Sequence, residues 1–195
     1  MPGCATVFRP MSPPTAVASL LALNLLLAAC AGLEGPTPTP ERVIQGSELP
    51  IAGGCADTLL YATSQDAMVA VVVDWPGAAS AAHAAGDFVE FSENVTLPAD
   101  EVRVRLQVGS HLGDGFCTDV IVEGRPNISA EAEASAGVAE ITVVPEAAAD
   151  PIFPLGRATL ELTDVVFVID LGNGPEEWRL DRLELRNIQV GWLAG

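Results

Sequence analysis

The residues best suited to chemistry are oxygen-bearing side chains gathered in two predicted turns. The larger set lies in one hairpin loop and consists of Asp170, Asn173, Glu176 and Glu177. The smaller set is Asp114 and Asp119, which flank a second predicted loop. Hard cations such as Ca²⁺ bind several oxygen ligands from loops, so either loop could hold calcium. Neither follows the EF-hand pattern, and Asn-Gly and Asp-Gly are also what tight turns require. These residues can therefore be interpreted either as calcium ligands or as residues that only form the turns, and the sequence leaves both interpretations open.

Catalysis has weaker support, because the chain contains only two histidines to serve as a general base. His83 lies in an Ala-rich segment, and His111 lies beside the Gly113–Gly115 turn. Neither is near a Gly-x-Ser-x-Gly elbow, and Ser80 is only a neighbour of His83 in sequence. Paired carboxylates can hydrolyse glycosides, but among 26 acidic residues some pairs will be close by chance. We therefore expect a protein that is not an enzyme, with a small hydrolase as an alternative.

Aromatic side chains could form a sugar-binding platform. Trp75 precedes a Pro-Gly turn and Trp178 opens a predicted strand, so both could be exposed at loop ends, with Trp192 and Tyr61 as further candidates. Aromatic residues make up only 5% of the chain, however, and a core of this size needs most of them. Core packing is therefore the competing interpretation for all of them.

A short uncharged apolar run ends in Leu27-Ala28-Ala29-Cys30 and follows a single basic residue, Arg9. This pattern resembles the lipobox of bacterial lipoprotein precursors. The resemblance implies that residues 1–29 are a signal peptide and that Cys30 is acylated and holds the mature protein at a membrane outside the cytoplasm. The run is shorter than the roughly 20 apolar residues of a membrane-spanning helix. An ordinary secretory signal is the alternative.

Residues 30–50 are predicted to be a linker, because they include a Thr-Pro repeat up to Pro40. Alternating prolines exclude helix and central strand and favour an extended spacer. Removing residues 1–29 takes away one of nine basic residues and none of the 26 acids, which leaves a net charge of −18. Such a charge excludes nucleic acid as a partner, since that binding depends on neutralising phosphates. An acidic protein is also not attracted to anionic lipid, so we expect lipid on Cys30, and not a basic patch, to anchor it.

Residues 51–195 are predicted to be a single domain. Cys4 is lost with the signal peptide and Cys30 is used for lipid, so Cys55 and Cys117 remain as a pair. Outside the cytoplasm we expect them to form a disulfide, with a stabilisation of about 4 kcal/mol from the long loop it closes. Two buried thiols or half of a metal site are the alternatives.

The fold is predicted to be an all-β antiparallel sandwich of about eight strands. Glu101–Val108 alternates apolar and charged residues and should be half-buried, whereas Ala67–Asp74 is apolar nearly throughout and should be central. The other predicted strands are Thr58–Thr63, Asp87–Phe91, Thr118–Glu123, Val138–Val144, Arg157–Asp170 and Trp178–Trp192.

Three local features complete the prediction. The apolar positions of the last two strands change parity midway, which predicts bulges or a bend that let this hairpin serve both sheets. Ala78–Ala85 is predicted to form one or two helical turns, and Ala130–Ala136 an exposed acidic loop.

The sequence thus favours a lipid-anchored module of the cell envelope that binds a protein or glycan partner through loops or a sheet edge. A Ca²⁺-assisted glycan-binding module is the first alternative.

Overall fold

The computed structural model describes residues 40–84, 89–118, 126–146 and 155–191. They contain nine strands: β1 (Glu41–Ile44), β2 (Ile51–Cys55), β3 (Leu59–Thr63), β4 (Val69–Asp74), β5 (Phe91–Leu97), β6 (Arg103–Ser110), β7 (Asn127–Pro145), β8 (Gly156–Asp170) and β9 (Pro175–Val190). A short helix, α1, spans Ala78–Ala84, and two 3-10 helices span Gly46–Glu48 and Leu112–Gly115.

The described strands form one curled sheet, similar to half a barrel, in the order β1-β9-β8-β7-β6-β4-β3-β2. Strand β5 pairs with β7 outside this path. Every pairing is antiparallel except that of β1 with β9, which is parallel. The predicted all-β class is therefore confirmed. The two separate packed sheets of a sandwich are not confirmed, because β7 joins the two halves into one sheet.

Strands β4 and β6 behave as their sequences predict. The apolar strand β4 lies between β3 and β6, and four of its consecutive residues, 70–73, are buried. In β6, Val104 and Leu106 are buried while Arg103 is exposed. Period-two alternation therefore marks a strand with one core face, and continuous apolar residues mark one covered on both faces.

Strand β7 corrects the sequence prediction, because residues 130–136 form part of a long strand and not an acidic loop. In its first half Ala132 and Ala134 face the core, whereas Glu131 and Glu133 are exposed. This segment has period two, but alanine is a weak apolar signal and the glutamates dominate its composition. Ala134 is the register partner of Phe167 on β8, and its small side chain leaves room for the Phe167 ring.

The predicted irregularity of the β8–β9 hairpin is confirmed as a shift in register between Ala158 and Leu160. Asp164 on β8 and Asn187 on β9 both have positive φ, at 51° and 57°, where the buried positions change parity. The strand that serves both halves of the sheet is nevertheless β7: β6 pairs with its first half and β5 with its second. Two further register shifts, between Ala134 and Val138, accompany that change.

Several boundaries differ from the predicted ones. Strand β1 and the buried side chain of Leu49 belong to the folded part, although the Pro-rich composition assigns them to the linker. Strand β5 begins at Phe91, where the predicted strand ends. The helix is confirmed at Ala78–Ala84. Most of the predicted strand Thr118–Glu123 lies outside the described residues.

The main core fills the inside of the curled sheet. Its largest fully buried side chains are Trp75, Trp178 and Phe167, surrounded by aliphatic residues from β3 to β9. A second cluster lies against the opposite face of β4 and contains Val72 and Leu112, with Phe116 stacked on Tyr61 at 4.7 Å between ring centroids. The segment that covers this second cluster is the one that carries Cys117.

Candidate binding groove

The described part of β9 has an open edge on the side away from β8. Among the described strands, the short strand β1 pairs with this edge, at residues 177–180. Beyond them, from Asp181 to Val190, no described strand pairs with this side of β9. Strand β1 pairs with no more of this edge because the chain leaves β1 at Gln45 and turns into a 3-10 helix instead of continuing as a strand.

The open edge borders a groove of about 600 Å³, which we call the β9 groove. Its walls are residues 45–52 on one side and residues 182–188 of β9 on the other. Leu49 and Leu185, both almost fully buried, give it an apolar floor. The side chains of Arg182 and Arg186 stand at its rim and are 61% and 73% exposed.

Both ends of the groove are tied to the rest of the fold. The Gln45 side-chain amide donates a hydrogen bond to Asp181 at 3.1 Å, and the capping-box contact from Gln45 N–H to Glu48 at 2.9 Å holds the 3-10 helix. At the other end the Gly191 N–H donates to the Ala56 carbonyl at 2.6 Å. The groove is therefore a preformed feature with fixed ends.

Gly46 determines how closely the 3-10 helix approaches β9. A side chain at this position would overlap the carbonyl oxygen of Arg182. Glycine therefore allows the two backbones to lie in contact and narrows the groove at this end.

The rim charges are already partnered. Arg182 lies 3.0 Å from Glu161, and Arg186 lies 2.6 Å from Glu184. All four side chains are at least partly exposed, so these ion pairs contribute little to stability and can exchange partners. The rim can therefore accept polar or acidic groups of a ligand while the floor accepts apolar ones.

The predicted calcium ligands of the β8–β9 loop are engaged with the protein itself. Asp170 accepts hydrogen bonds from the N–H groups of Gly172 and Gly174 at 2.7 and 3.1 Å, which closes the turn. Glu176 accepts one from the Trp178 indole at 3.2 Å, and Glu177 forms an ion pair with Arg179 at 3.6 Å.

The remaining predicted ligand of that loop, Asn173, is exposed at the turn. In the other loop, Asp114 lies 3.6 Å from His111, and Asp119 is outside the described residues. The described ranges contain no group of three His, Cys, Asp or Glu side chains arranged to hold a metal ion.

Both tryptophans proposed as a sugar platform are buried, each only 1% exposed. The Trp75 indole donates a hydrogen bond to Glu93 at 3.2 Å, and the Arg42 guanidinium lies 4.1 Å from the centroid of the Trp178 ring. The rings of Trp75 and Trp178 are therefore part of the core, which was the alternative to a sugar-binding platform. Tyr61 is stacked on Phe116, and Trp192 lies outside the described residues.

The two histidines lie on separate elements. The Nε2 atom of His83, on α1, lies 2.6 Å from the Leu155 carbonyl, whereas His111 precedes the second 3-10 helix. Ser80 donates its hydroxyl to Asp57 at 2.6 Å. Each of these side chains thus has a structural contact of its own.

The predicted disulfide between Cys55 and Cys117 is present, with 5.5 Å between the two Cα atoms. It joins the end of β2 to the segment that covers the second apolar cluster. Cys30, the predicted lipid attachment site, lies outside the described residues.

The β9 groove itself is a site that the sequence analysis missed. It depends on β1 and the 3-10 helix, which lie in the segment assigned to the linker. The local signal was the presence of apolar residues within that polar stretch, of which Ile44 and Leu49 are buried.

Comparison with known proteins identifies no relative: no family, curated protein or solved structure matches this chain. None of the helices in the described residues is long and apolar enough to cross a membrane.

Proposed function

We propose that this chain is a lipid-anchored, non-enzymatic module outside the cytoplasm that binds an envelope protein by adding a strand to the open edge of β9. Two independent features support this. The lipobox-like sequence up to Cys30 and the Thr-Pro spacer favour a domain held at a distance from a membrane. Beyond the contact with Gly46 at Arg182 and Leu183, the edge of β9 pairs with no described strand and offers backbone N–H and C=O groups to a ligand.

The observation that carries the proposal is that this edge borders a groove. An exposed edge alone is a hazard that proteins normally block with charges, bulges or a covering segment. Here residues 45–52 flank the edge without pairing to it, and the groove of about 600 Å³ lies between the two. Peptides that add a strand gain affinity from backbone hydrogen bonds and specificity from alternate side chains.

The groove defines the type of segment that would fit. Every second side chain of an added strand would point toward the apolar floor at Leu49 and Leu185, so small or aliphatic residues are expected there. The intervening side chains would lie near Arg182 and Arg186, where acidic or polar residues are favoured. We therefore propose an extended partner segment that alternates aliphatic with polar or acidic residues.

The alternatives retained from the sequence make different demands. A Ca²⁺-assisted glycan module needs Asp170 and its neighbours to exchange their present hydrogen bonds for a metal, and a hydrolase needs a pocket centred on His83 or His111. Strand addition requires no rearrangement of any of these residues.

Photo-crosslinking in intact cells tests the proposal. A photoreactive amino acid replaces Arg186 in the groove and, as the matched control, Val168, which is 52% exposed on β8. We expect a discrete crosslinked protein from position 186 and none from position 168. Equal yields at the two positions, or no product from either, would refute strand addition at this edge.

Anchoring is tested separately with the Cys30→Ala variant. The unmodified protein should fractionate with membranes and carry diacylglycerol on Cys30 by mass spectrometry, whereas the variant should retain the signal peptide or lose lipid. An unlipidated wild-type chain that starts elsewhere would overturn the anchor but leave the groove proposal intact.

A further inference from the structure

A second cavity lies where the strand opposite β7 is interrupted. Strands β5 and β6 both run antiparallel to β7, one after the other: β5 pairs with residues 137–143 and β6 with residues 127–133. Between them, residues 98–102 leave the sheet. The interruption contains a cavity of about 310 Å³, which we call the β5–β6 cavity.

The cavity combines an apolar floor with a charged rim. The floor consists of buried side chains from both strand ends and from β7, namely Leu97, Val102, Val104 and Ala134. The rim carries Arg103 together with two acids, Asp100 and Glu133. Its size lies at the lower end of the range of small-molecule sites, about 300 to 1,000 Å³.

Arg103 differs from the other arginines of the described sheet. The arginines with a carboxylate within 4.0 Å are Arg105, Arg157, Arg179, Arg182 and Arg186. Arg42 lies over an indole ring. Arg103 is exposed and forms no ion pair with any described residue, although Asp74 is its register partner on β4.

This exception is informative because the chain has a net charge of −17 and acids are abundant. A guanidinium has a planar array of donors that matches a carboxylate in a bidentate geometry. Arg103 is thus an exposed guanidinium without an ion pair among the described residues, beside an apolar cavity in a molecule whose overall charge otherwise repels anions.

We infer that the β5–β6 cavity binds the α-carboxylate of an apolar amino acid. The carboxylate pairs with Arg103, and the side chain fills the floor formed by Leu97, Val102 and their neighbours. Asp100 and Glu133 receive the ammonium group when the ligand is a free amino acid. The C-terminal residue of a peptide has the same carboxylate and apolar side chain but lacks that ammonium, so the two sources can be distinguished.

Titration calorimetry on the mature, detergent-solubilised protein tests the inference with three probes: leucine, N-acetylleucine and leucinamide. Leucine alone should bind if the ligand is a free amino acid. Leucine and N-acetylleucine should bind comparably if the ligand is a peptide C-terminus. Leucinamide, which has no carboxylate, should not bind in either case.

Variants locate the site. Arg103→Gln should weaken binding by about 10- to 100-fold, because it removes charge-assisted hydrogen bonds, and Arg103→Lys should weaken it less. Arg157→Gln, the same change at a partly exposed arginine of β8 that lines neither cavity, should leave affinity unchanged. Binding of leucinamide equal to that of leucine, equal affinity of Arg103→Gln and wild type, or no binding of any probe at millimolar concentration would each overturn the inference.

Discussion

The guanidinium of Arg42 lies 4.1 Å from the centroid of the Trp178 ring, which connects the first strand of the domain to the last. Strand β1 pairs in parallel with β9 at this point, and Arg42 is the register partner of Trp178. Because β1 follows the predicted spacer, any load transmitted from a lipid anchor would enter the domain through this strand.

We expect Arg42→Gln to lower the free energy of unfolding by about 1 kcal/mol, since a cation over a buried indole contributes more than an exposed ion pair. Urea denaturation followed by circular dichroism measures the change. The control is Arg186→Gln, which should cost less than about 0.5 kcal/mol. If both variants lose the same free energy of unfolding, the contact with the Trp178 ring contributes no more than an exposed ion pair.

Removal of the disulfide should be more costly. The double variant Cys55→Ala and Cys117→Ala is expected to lose about 2–4 kcal/mol, because the bridge joins residues 62 apart and restricts the unfolded chain. Reduced wild-type protein should show the same loss by the same denaturation assay. A loss below about 0.5 kcal/mol would mean that the segment over the second cluster is held by apolar packing alone.

The bend in β9 should depend on Asn187, whose φ of 57° is disfavoured for β-branched residues. We predict that Asn187→Val destabilises the protein by about 1–2 kcal/mol. Gln189→Val is the matched control, because Gln189 is also exposed on β9 but does not have a positive φ. If the two variants unfold at the same denaturant concentration, strain at Asn187 is refuted.

The turn before β4 has a pH-dependent contribution to stability. A hydrogen bond from the Ser64 hydroxyl, and then one from the Met68 N–H, lower the pKa of Asp66 below its usual 3.8. Since the folded pKa is below the unfolded one, this contribution is present above pH 3.8 and is lost as the pH falls through the folded pKa.

We expect Ser64→Ala to raise the pKa of Asp66 toward 3.8, measured by NMR titration of the carboxyl carbon. Ser92→Ala, which removes an exposed hydroxyl on β5, should leave the Asp66 titration unchanged. An unaltered Asp66 pKa in Ser64→Ala would assign the shift to the backbone donor.

Local patterns predicted the elements whose burial is decided by their own residues. The continuous apolar residues of β4, the alternation of β6 and the parity changes of β8 and β9 each correspond to the observed strands. The disulfide also followed from counting cysteines under the predicted location outside the cytoplasm, because one pair remained once Cys4 and Cys30 were assigned elsewhere.

Local patterns failed where a residue's role depends on what lies opposite it. The alanines of β7 indicate a core face only once Phe167 is placed against Ala134. Strand β1 is four residues long and mostly exposed, so only pairing with β9 makes it a strand.

The sequence by itself determined the β class, the acidic surface, the cysteine pair and the lipobox-like segment, because these depend on composition, short-range periodicity and spacing. Only the tertiary structure decided that β7 joins two half-sheets, that the edge of β9 beside residues 45–52 pairs with no described strand, and that Arg103 forms no ion pair with a described residue. The physical reason is that strand pairing brings together residues far apart in the chain, and no local pattern specifies which edges remain unpaired.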